Sequence, residues 1–299
     1  MNATWDLGFE RIEDGEHAWV PVRPATEEEV ARLNDAHTDL RLWMIESPFS
    51  KLNADYLAFV QAMTNTARRA GATGHLDPRE LVSTLVNWLS SLRGFDDKTS
   101  HLVSTAHGKE SDEYTAWKAT LRHEFDTDFS YRFCYKLRNF AQHVQDPVQH
   151  LSFTSSEAPG GGIDVALRME FDPPVLLERY REWGSVRKDL EGLGDSRIDI
   201  PTTVIRAMAS CTRALQRLVV AESPRIEGAC DVIESVAGEI PLPGSIPMYM
   251  KFEPNPDQTM SVRLVAVRPD AAELARALLA RCRAELSDAS GRGGAAHLT

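Results

Sequence analysis

Long apolar runs are absent from the sequence. No stretch approaches the ~20 residues that a membrane-spanning helix needs, and the mean hydropathy is -0.31. The N-terminal segment is polar and acidic and lacks the basic stretch and apolar core of a secretory signal peptide. These absences predict a cytoplasmic protein without membrane association.

Cysteine and lysine are both scarce. The four cysteines, Cys134, Cys211, Cys230 and Cys282, lie far apart and form no Cys-x-x-Cys pair, which predicts reduced, mostly buried thiols rather than a zinc site.

The chain is acidic: it has 33 Lys and Arg residues against 44 Asp and Glu residues, and its net charge is -11. This balance excludes a protein that coats nucleic acid with a broad basic face, but it is compatible with a local basic pocket.

Several common catalytic motifs are also missing. The sequence contains no phosphate-binding loop, no Gly-x-Ser-x-Gly elbow and no His-Glu-x-x-His pair. The glycines at 160–162 are typical of a hairpin turn. The acidic segment 123–128 could hold a divalent ion, but a solvated helix face or a kink is the expected structure. We therefore predict no cofactor and no metal site.

Hydrophobic periodicity predicts a mostly α, α+β fold. Thr26 and Glu29 are spaced as a capping box at the start of a helix. The next strong helix begins at Asp77-Pro78, and Gly94 is expected to interrupt or end it. One helix is predicted from about 111 to 145, packed on the helices at 78–93 and 201–222. Its core is predicted to include Trp88, Trp117, Phe133 and Met208.

The predicted organisation is one elaborated domain spanning residues 1–299, in which a helical bundle carries a small antiparallel sheet built from scattered hairpins. Helices are also expected at 174–193, 201–222, 224–237 and 270–287. The bundle core covers about 26–145 and 174–237, the strands about 3–22, 148–172 and 246–267, and a disordered tail 289–299.

One segment is aromatic and basic within this acidic chain. It runs YKLRNFAQH and contains Arg138, followed directly by Asn139 and five residues later by His143. About 0.8 pairs with this Arg-His spacing are expected by chance from the composition, and the chain has three. Arg32/His37 lies on an acidic helix and Arg292/His297 in a glycine-rich tail. Only Arg138 is followed by asparagine among aromatic residues near the end of a long helix.

The segment YKLRNFAQH resembles the Arg-x4–6-His motif of the HEPN superfamily, in the form found in bacterial HEPN-like proteins. The match covers some 15 residues. The resemblance implies a helical bundle that dimerises, so that two motifs meet in a cleft. It also implies a metal-independent endoribonuclease, acting as a toxin or an antiviral defence effector, with an antitoxin or regulatory partner. Other members of the superfamily keep the bundle and only bind.

The residue types suit cleavage of RNA through its own 2′-OH. Histidine titrates near neutral pH and can move the proton of that hydroxyl or of the leaving oxygen. Arginine keeps its charge and its fork matches a phosphate. The predicted catalytic residues are therefore Arg138, His143 and Asn139. The residues predicted to bind RNA are Tyr131, Arg132, Tyr135 and Lys136.

Four other interpretations of the sequence remain open. Arg138 and His143 could form a buried polar pair that closes the bundle, with Asp128 or Asp146 as partners. Tyr131 and Tyr135 could pack in the core rather than stack on bases. The protein could also be a non-catalytic HEPN-like nucleotide-binding, RNA-binding or scaffold protein, or an enzyme of unrelated chemistry.

Overall fold

The computed structural model describes residues 4–13, 16–45, 47–144, 147–157, 163–240, 245–255, 257 and 259–295. These residues are mostly helical and include two small antiparallel sheets, which confirms the predicted mostly α, α+β fold. The chain divides into a terminal unit, formed by Met1–Ser47 and Gln216–Thr299, and a central unit, Pro48–Leu215. A single domain that joins the two units stays a prediction.

The terminal unit combines a four-stranded sheet with helices. The sheet has the order β2-β1-β6-β7, and every neighbouring pair is antiparallel. Alternate residues Trp5, Leu7 and Phe9 of β1 are buried, as expected for a strand with one face on the core. The bounds are β1 Trp5–Glu13, β2 Glu16–Ala25, α1 Glu27–Leu40, a π-helical turn Arg41–Ile45, α9 Ser223–Gly238, β6 Pro247–Pro254, β7 Met260–Ala266 and α10 Pro269–Ala295.

Helix α1 begins as the sequence predicts. The Thr26 side chain accepts a hydrogen bond from the Glu29 backbone amide at 3.2 Å, and the Glu29 carboxylate accepts one from the Thr26 amide at 2.7 Å. This reciprocal pair satisfies two amides that have no partner within the helix. The predicted capping box is therefore confirmed.

In the last turn of α1, His37 is poorly placed to carry a charge. Its Nε2 atom is buried and has no hydrogen-bond partner in the described part of the chain. Burial lowers the pKa of His37, and the charge of Arg268 lowers it further. The folded chain therefore binds fewer protons at this site than the unfolded chain does below pH ~6.5.

We expect stability to fall as the pH decreases below ~6.5, because unfolding then takes up a proton at His37. Replacing His37 by glutamine should make stability depend less on pH in this range. Urea midpoints measured at pH 7.5, 6.5 and 5.5 test the prediction, with His101→Gln on an exposed site as the control. Equal slopes for wild type and His37→Gln would contradict it.

The central unit contains a long helical layer and a three-stranded sheet of order β3-β4-β5. Helix α3 packs against α2, α4 and α5, while α2 also contacts β3 and β4. The bounds are α2 Pro48–Thr73, α3 Arg79–His107, α4 Asp112–Thr127, α5 Phe129–His143, β3 His150–Glu157, β4 Ile163–Phe171, α6 Pro173–Arg179, α7 Val186–Leu193, β5 Ile198–Asp199 and α8 Ile200–Ala221, whose last turns belong to the terminal unit.

The predicted core residues Trp88, Trp117, Phe133 and Met208 are all buried. Gly94 does not interrupt α3, which corrects the prediction from the sequence. A glycine inside a helix costs only ~0.5–1 kcal/mol relative to alanine. The apolar stripe of α3 continues past it through Phe95 and Val103, both buried, and this burial outweighs the local cost.

The single helix predicted at 111–145 is two helices. Asp128 has an extended backbone, with φ -113° and ψ 113°, and it ends α4 and caps α5 at once. Its carboxylate accepts a hydrogen bond from the Tyr131 amide at 3.1 Å. Arg213 of α8 holds the junction by pairing with buried Glu124 at 2.7 Å. The break therefore comes from an aspartate that favours the N-cap position over the helix interior.

Two further boundaries differ from the predictions. The helix expected at 174–193 is divided into α6 and α7, and the connection between them contains Gly184 in the left-handed region at φ 58°. Helix α10 continues to Ala295, beyond the predicted end at 287 and into the tail predicted to be disordered. The remainder of that tail, residues 296–299, lies outside the described residues, as does the hairpin turn predicted at 160–162.

No helix among the described residues is long and apolar enough to cross a membrane.

Candidate functional site

An aromatic cluster holds α5 in place. The ring of Trp183 stacks on Phe133 and on Phe140, with ring centroids 5.8 Å apart in both pairs. Tyr180 meets the Trp183 ring edge-on at 5.3 Å. The Trp183 indole N–H donates to the Leu176 carbonyl at 3.0 Å, so the ring is fixed in its plane. This cluster fixes the orientation of α5 against the α6–α7 connection.

The two sides of α5 differ in character. At ~100° per residue, Phe133, Leu137 and Phe140 fall on one side of the helix, and all three are buried. Asn139 and His143 fall on the other side, together with Lys136, within an arc of ~60°. Arg138 lies near the border between the two sides and ~140° from His143. The helix therefore presents a polar surface toward its C-terminal end.

Among the described residues, Arg138 is held by its neighbour and not by a carboxylate. Its Nη1 donates to Asn139 Oδ1 at 3.3 Å, while its Nε is buried without a hydrogen-bond partner in the described part of the molecule. The Asn139 amide also interacts with the Tyr180 hydroxyl, which lies beside Glu182. Burial is the main cause that raises the pKa of Tyr180. The guanidinium is thus oriented but keeps donors available for an anion.

His143 is the last residue of α5 and is exposed. It cannot form the buried pair with Arg138 that was the alternative from the sequence. Asp128, one proposed partner of that pair, caps α5 and lies 3.7 Å from Arg213. Asp146, the other proposed partner, lies outside the described residues. Within one chain, the imidazole therefore faces solvent at the end of the helix.

The residues predicted to bind RNA divide into two groups. Tyr131 is only 2% exposed, which corrects its prediction as a base-stacking residue, because no ring face is free. Arg132 forms a bidentate ion pair with Asp189 of α7, at 2.7 and 2.9 Å. The hydrogen bonds to Asp189 raise the pKa of Arg132. Its charge is therefore already matched, and it acts as a link between α5 and α7.

Tyr135 and Lys136 remain accessible. Tyr135 is half-buried, with Phe125 edge-on to its ring at 5.8 Å and Arg93 4.6 Å from its centre. Lys136 is half-buried and has no acidic partner among the described residues. Both residues can contact a molecule that approaches α5 from solvent.

No protein-family model, curated protein or solved structure matches this chain.

The acidic segment 123–128 does not converge on a metal site. Glu124 points into the core toward Arg213, and Asp128 caps α5. Among the described residues, no three His, Cys, Asp or Glu side chains are grouped as metal ligands.

All four cysteines are buried and unpaired, as predicted, and burial raises the pKa of the Cys134 thiol. Cys134 is therefore a packing residue.

The sequence did not reveal Tyr180, Glu182 or Asp189 as neighbours of the motif. They lie 41 or more residues from Asn139 along the chain, in or beside the α6–α7 connection. No short-range pattern marks such contacts, because they arise when α7 packs against α5.

Proposed function

We propose that this protein is an endoribonuclease that acts as a homodimer and cleaves RNA through its 2′-OH without a metal ion. The observation that carries the proposal is the end of α5, where Arg138, Asn139 and an exposed His143 lie within two turns. In the described part of the chain no carboxylate neutralises Arg138. The resemblance of this segment to the HEPN motif supports the same function. A role as a toxin or antiviral defence effector belongs to this proposal.

The charge on Arg138 suits a phosphate in the transition state. Its guanidinium is always protonated, and its partner Asn139 is neutral, so the positive charge is not compensated locally. A pentacoordinate phosphate carries more negative charge on its oxygens than the starting diester. Hydrogen bonds from a positioned arginine therefore stabilise the transition state more than the ground state.

His143 supplies the proton transfer. In the proposed step, a histidine takes the proton of the 2′-OH while the 2′-oxygen bonds to the adjacent phosphorus. The bond from phosphorus to the 5′-oxygen breaks, and that oxygen receives a proton from the protonated histidine of the second copy of the motif. The products are a 2′,3′-cyclic phosphate and a 5′-hydroxyl. The exposure of His143 allows it to reach a substrate held outside the helix.

Two copies of the motif complete the site. Arg138 and His143 lie ~140° apart around one helix. The two side chains of a single chain therefore do not converge on the same phosphate. A two-fold axis near the end of α5 places the same residues of a second copy on the opposite wall of a cleft.

The direct test of activity uses the purified full chain with single-stranded RNA in the presence of a chelator. We expect cleavage that is unaffected by the chelator and products that carry 2′,3′-cyclic phosphate ends. Cleavage that requires Mg²⁺ or leaves 5′-phosphate ends would overturn the proposed mechanism. RNA binding without any cleavage would favour the non-catalytic alternative.

We also expect a homodimer of twice 33.3 kDa in solution at micromolar concentration. Gln142 is exposed beside the motif, so Gln142→Cys should form an intermolecular disulfide under mild oxidation. The native cysteines are buried and will not compete. Arg68→Cys, at an exposed position of α2, is the matched control and should stay monomeric on a non-reducing gel. A monomer by light scattering would contradict the dimeric site.

A further inference from the structure

Helix α4 forms one wall of an open groove in the central unit. Two adjoining concavities of about 410 and 510 Å³ share Lys118, Arg122 and Asp126. Tyr114 lines the outer concavity, and Phe125 and Tyr135 line the inner one. We call this surface the α4 groove, with Tyr114, Lys118, Arg122, Phe125 and Tyr135 as its defining residues.

On the α4 side of the groove, two cationic side chains lie between two aromatic ones. Tyr114, Lys118, Arg122 and Phe125 have the spacing i, i+4, i+8 and i+11. At ~100° per residue they fall within an arc of ~80° on one face of the helix. Lys118 and Arg122 are separated by ~6 Å along the axis, close to the separation of successive phosphates in an extended strand. The groove therefore carries two cations between aromatic residues.

The cations of the groove are only partly compensated. Arg122, which lines both concavities, and Lys109, which lines the outer one, are exposed and form no ion pair with the described residues. Lys118 lies 3.5 Å from Asp96, and Asp126 is the other carboxylate in the lining. The lining of the groove thus contains three cations and two carboxylates, in a chain whose net charge is -11. This local excess attracts an anion that the rest of the surface repels.

The aromatic end of the groove is rigid and adjoins the motif. Tyr135 is held by a T-shaped contact with Phe125, with ring centroids 5.8 Å apart, and by the guanidinium of Arg93, 4.6 Å from its ring centre. Along α5, Arg138 lies three residues beyond Tyr135, a rise of ~4.5 Å. A chain that leaves the groove past Tyr135 therefore arrives at Arg138.

We infer that the α4 groove binds a segment of single-stranded RNA, with Arg122 and Lys109 on its phosphates and its bases against Phe125, Tyr135 and Tyr114. Cationic side chains between aromatic ones are typical of surfaces that bind single strands without sequence preference. Two adjoining concavities suit several linked nucleotides better than one free nucleotide. This inference rests on the proposed function, because it makes the groove the approach by which substrate reaches Arg138.

The test measures binding separately from cleavage. A fluorescein-labelled 2′-O-methyl oligouridine of 12 residues has no free 2′-OH and cannot be cleaved by the proposed route. Its affinity for the full chain is measured by fluorescence anisotropy over a range of salt concentrations. The variant Lys109→Ala/Arg122→Ala removes two exposed charges without breaking an ion pair of the described residues. Arg68→Ala/Lys98→Ala removes the same charges from α2 and α3 and is the matched control.

We expect the groove variant to bind the probe at least tenfold more weakly than wild type. The slope of log affinity against log salt should fall by ~1.4, since each phosphate contact on a single strand contributes ~0.7. The control variant should bind within twofold of wild type. Competition by free AMP at an equal concentration of nucleotide units should be absent.

Equal binding by wild type and the groove variant would overturn the inference, and so would full competition by AMP. A wild-type protein that cleaves RNA but does not depend on Arg122 for binding would leave the proposed function standing without the groove. Binding that depends on Arg122, with no cleavage of unmodified RNA, would support the groove and overturn the proposed activity.

Discussion

Replacing His143 by alanine is expected to lower the rate of RNA cleavage by about 10²–10⁴-fold, the usual contribution of one acid–base group. The fold should not change, because His143 is exposed at the last position of α5. Cleavage is measured by single-turnover kinetics with labelled RNA, and folding by circular dichroism and thermal unfolding. The loss should therefore appear in the rate and not in the melting temperature.

Replacing Arg138 by alanine should cause a loss of similar size, because the charge that faces the phosphate disappears. Asn139→Ala should cost less, since Asn139 orients the guanidinium through one 3.3 Å hydrogen bond and does not carry charge. Arg32→Ala and His37→Ala, which change the same spacing on α1, are the controls and should leave cleavage unchanged.

Three results would contradict this assignment in different ways. If Arg138→Ala and His143→Ala cleave as well as wild type, the activity uses another site. If both variants lose their fold, the segment is structural. If the wild type binds RNA and never cleaves it, the protein is a binding module with the same surface.

Replacing Trp183 by alanine is expected to destabilise the protein by ~3–5 kcal/mol. The indole is fully buried, stacks on Phe133 and Phe140, and donates to the Leu176 carbonyl. Its removal leaves a cavity beneath α5 and a buried carbonyl without its donor. Urea unfolding followed by far-UV circular dichroism measures the loss.

Two further variants make the Trp183 prediction specific. Trp183→Phe keeps a ring in the cluster and loses the hydrogen bond to Leu176, so we expect a smaller loss of ~1–3 kcal/mol. Leu57→Ala, at a position 56% exposed on α2, should change stability by at most ~0.5 kcal/mol. A wild-type urea midpoint for Trp183→Ala would show that the aromatic cluster does not hold the central unit together.

Local patterns were sufficient for most of the secondary structure. The capping box at Thr26 and Glu29, the buried stripe of α3 and the strand pair β3–β4 all depend on residues close in the chain. Periodicity encodes such features directly, because it fixes which side chains share a face. The same reasoning placed Arg138, Asn139 and His143 near the end of one helix.

Helix boundaries are harder to predict where the local preference of a residue competes with the burial of its neighbours. Gly94 lies inside α3, where flanking burial outweighs its backbone cost, and Asp128 divides a helix whose apolar pattern continues on both sides. The groove on α4 could have been found, because Tyr114, Lys118, Arg122 and Phe125 have a regular helical spacing.

The sequence by itself determined a mostly helical, acidic chain with one Arg-Asn-His segment on a helix, because composition and periodicity are local properties. Only the tertiary structure decided which of those side chains are available. Burial excluded Tyr131, and Asp189, 57 residues away, compensates Arg132. Tyr180 is brought next to Asn139, and Glu182 lies next to Tyr180. These outcomes depend on how α5 packs against α7 and the α6–α7 connection, and contacts between distant segments leave no periodic signal in the chain.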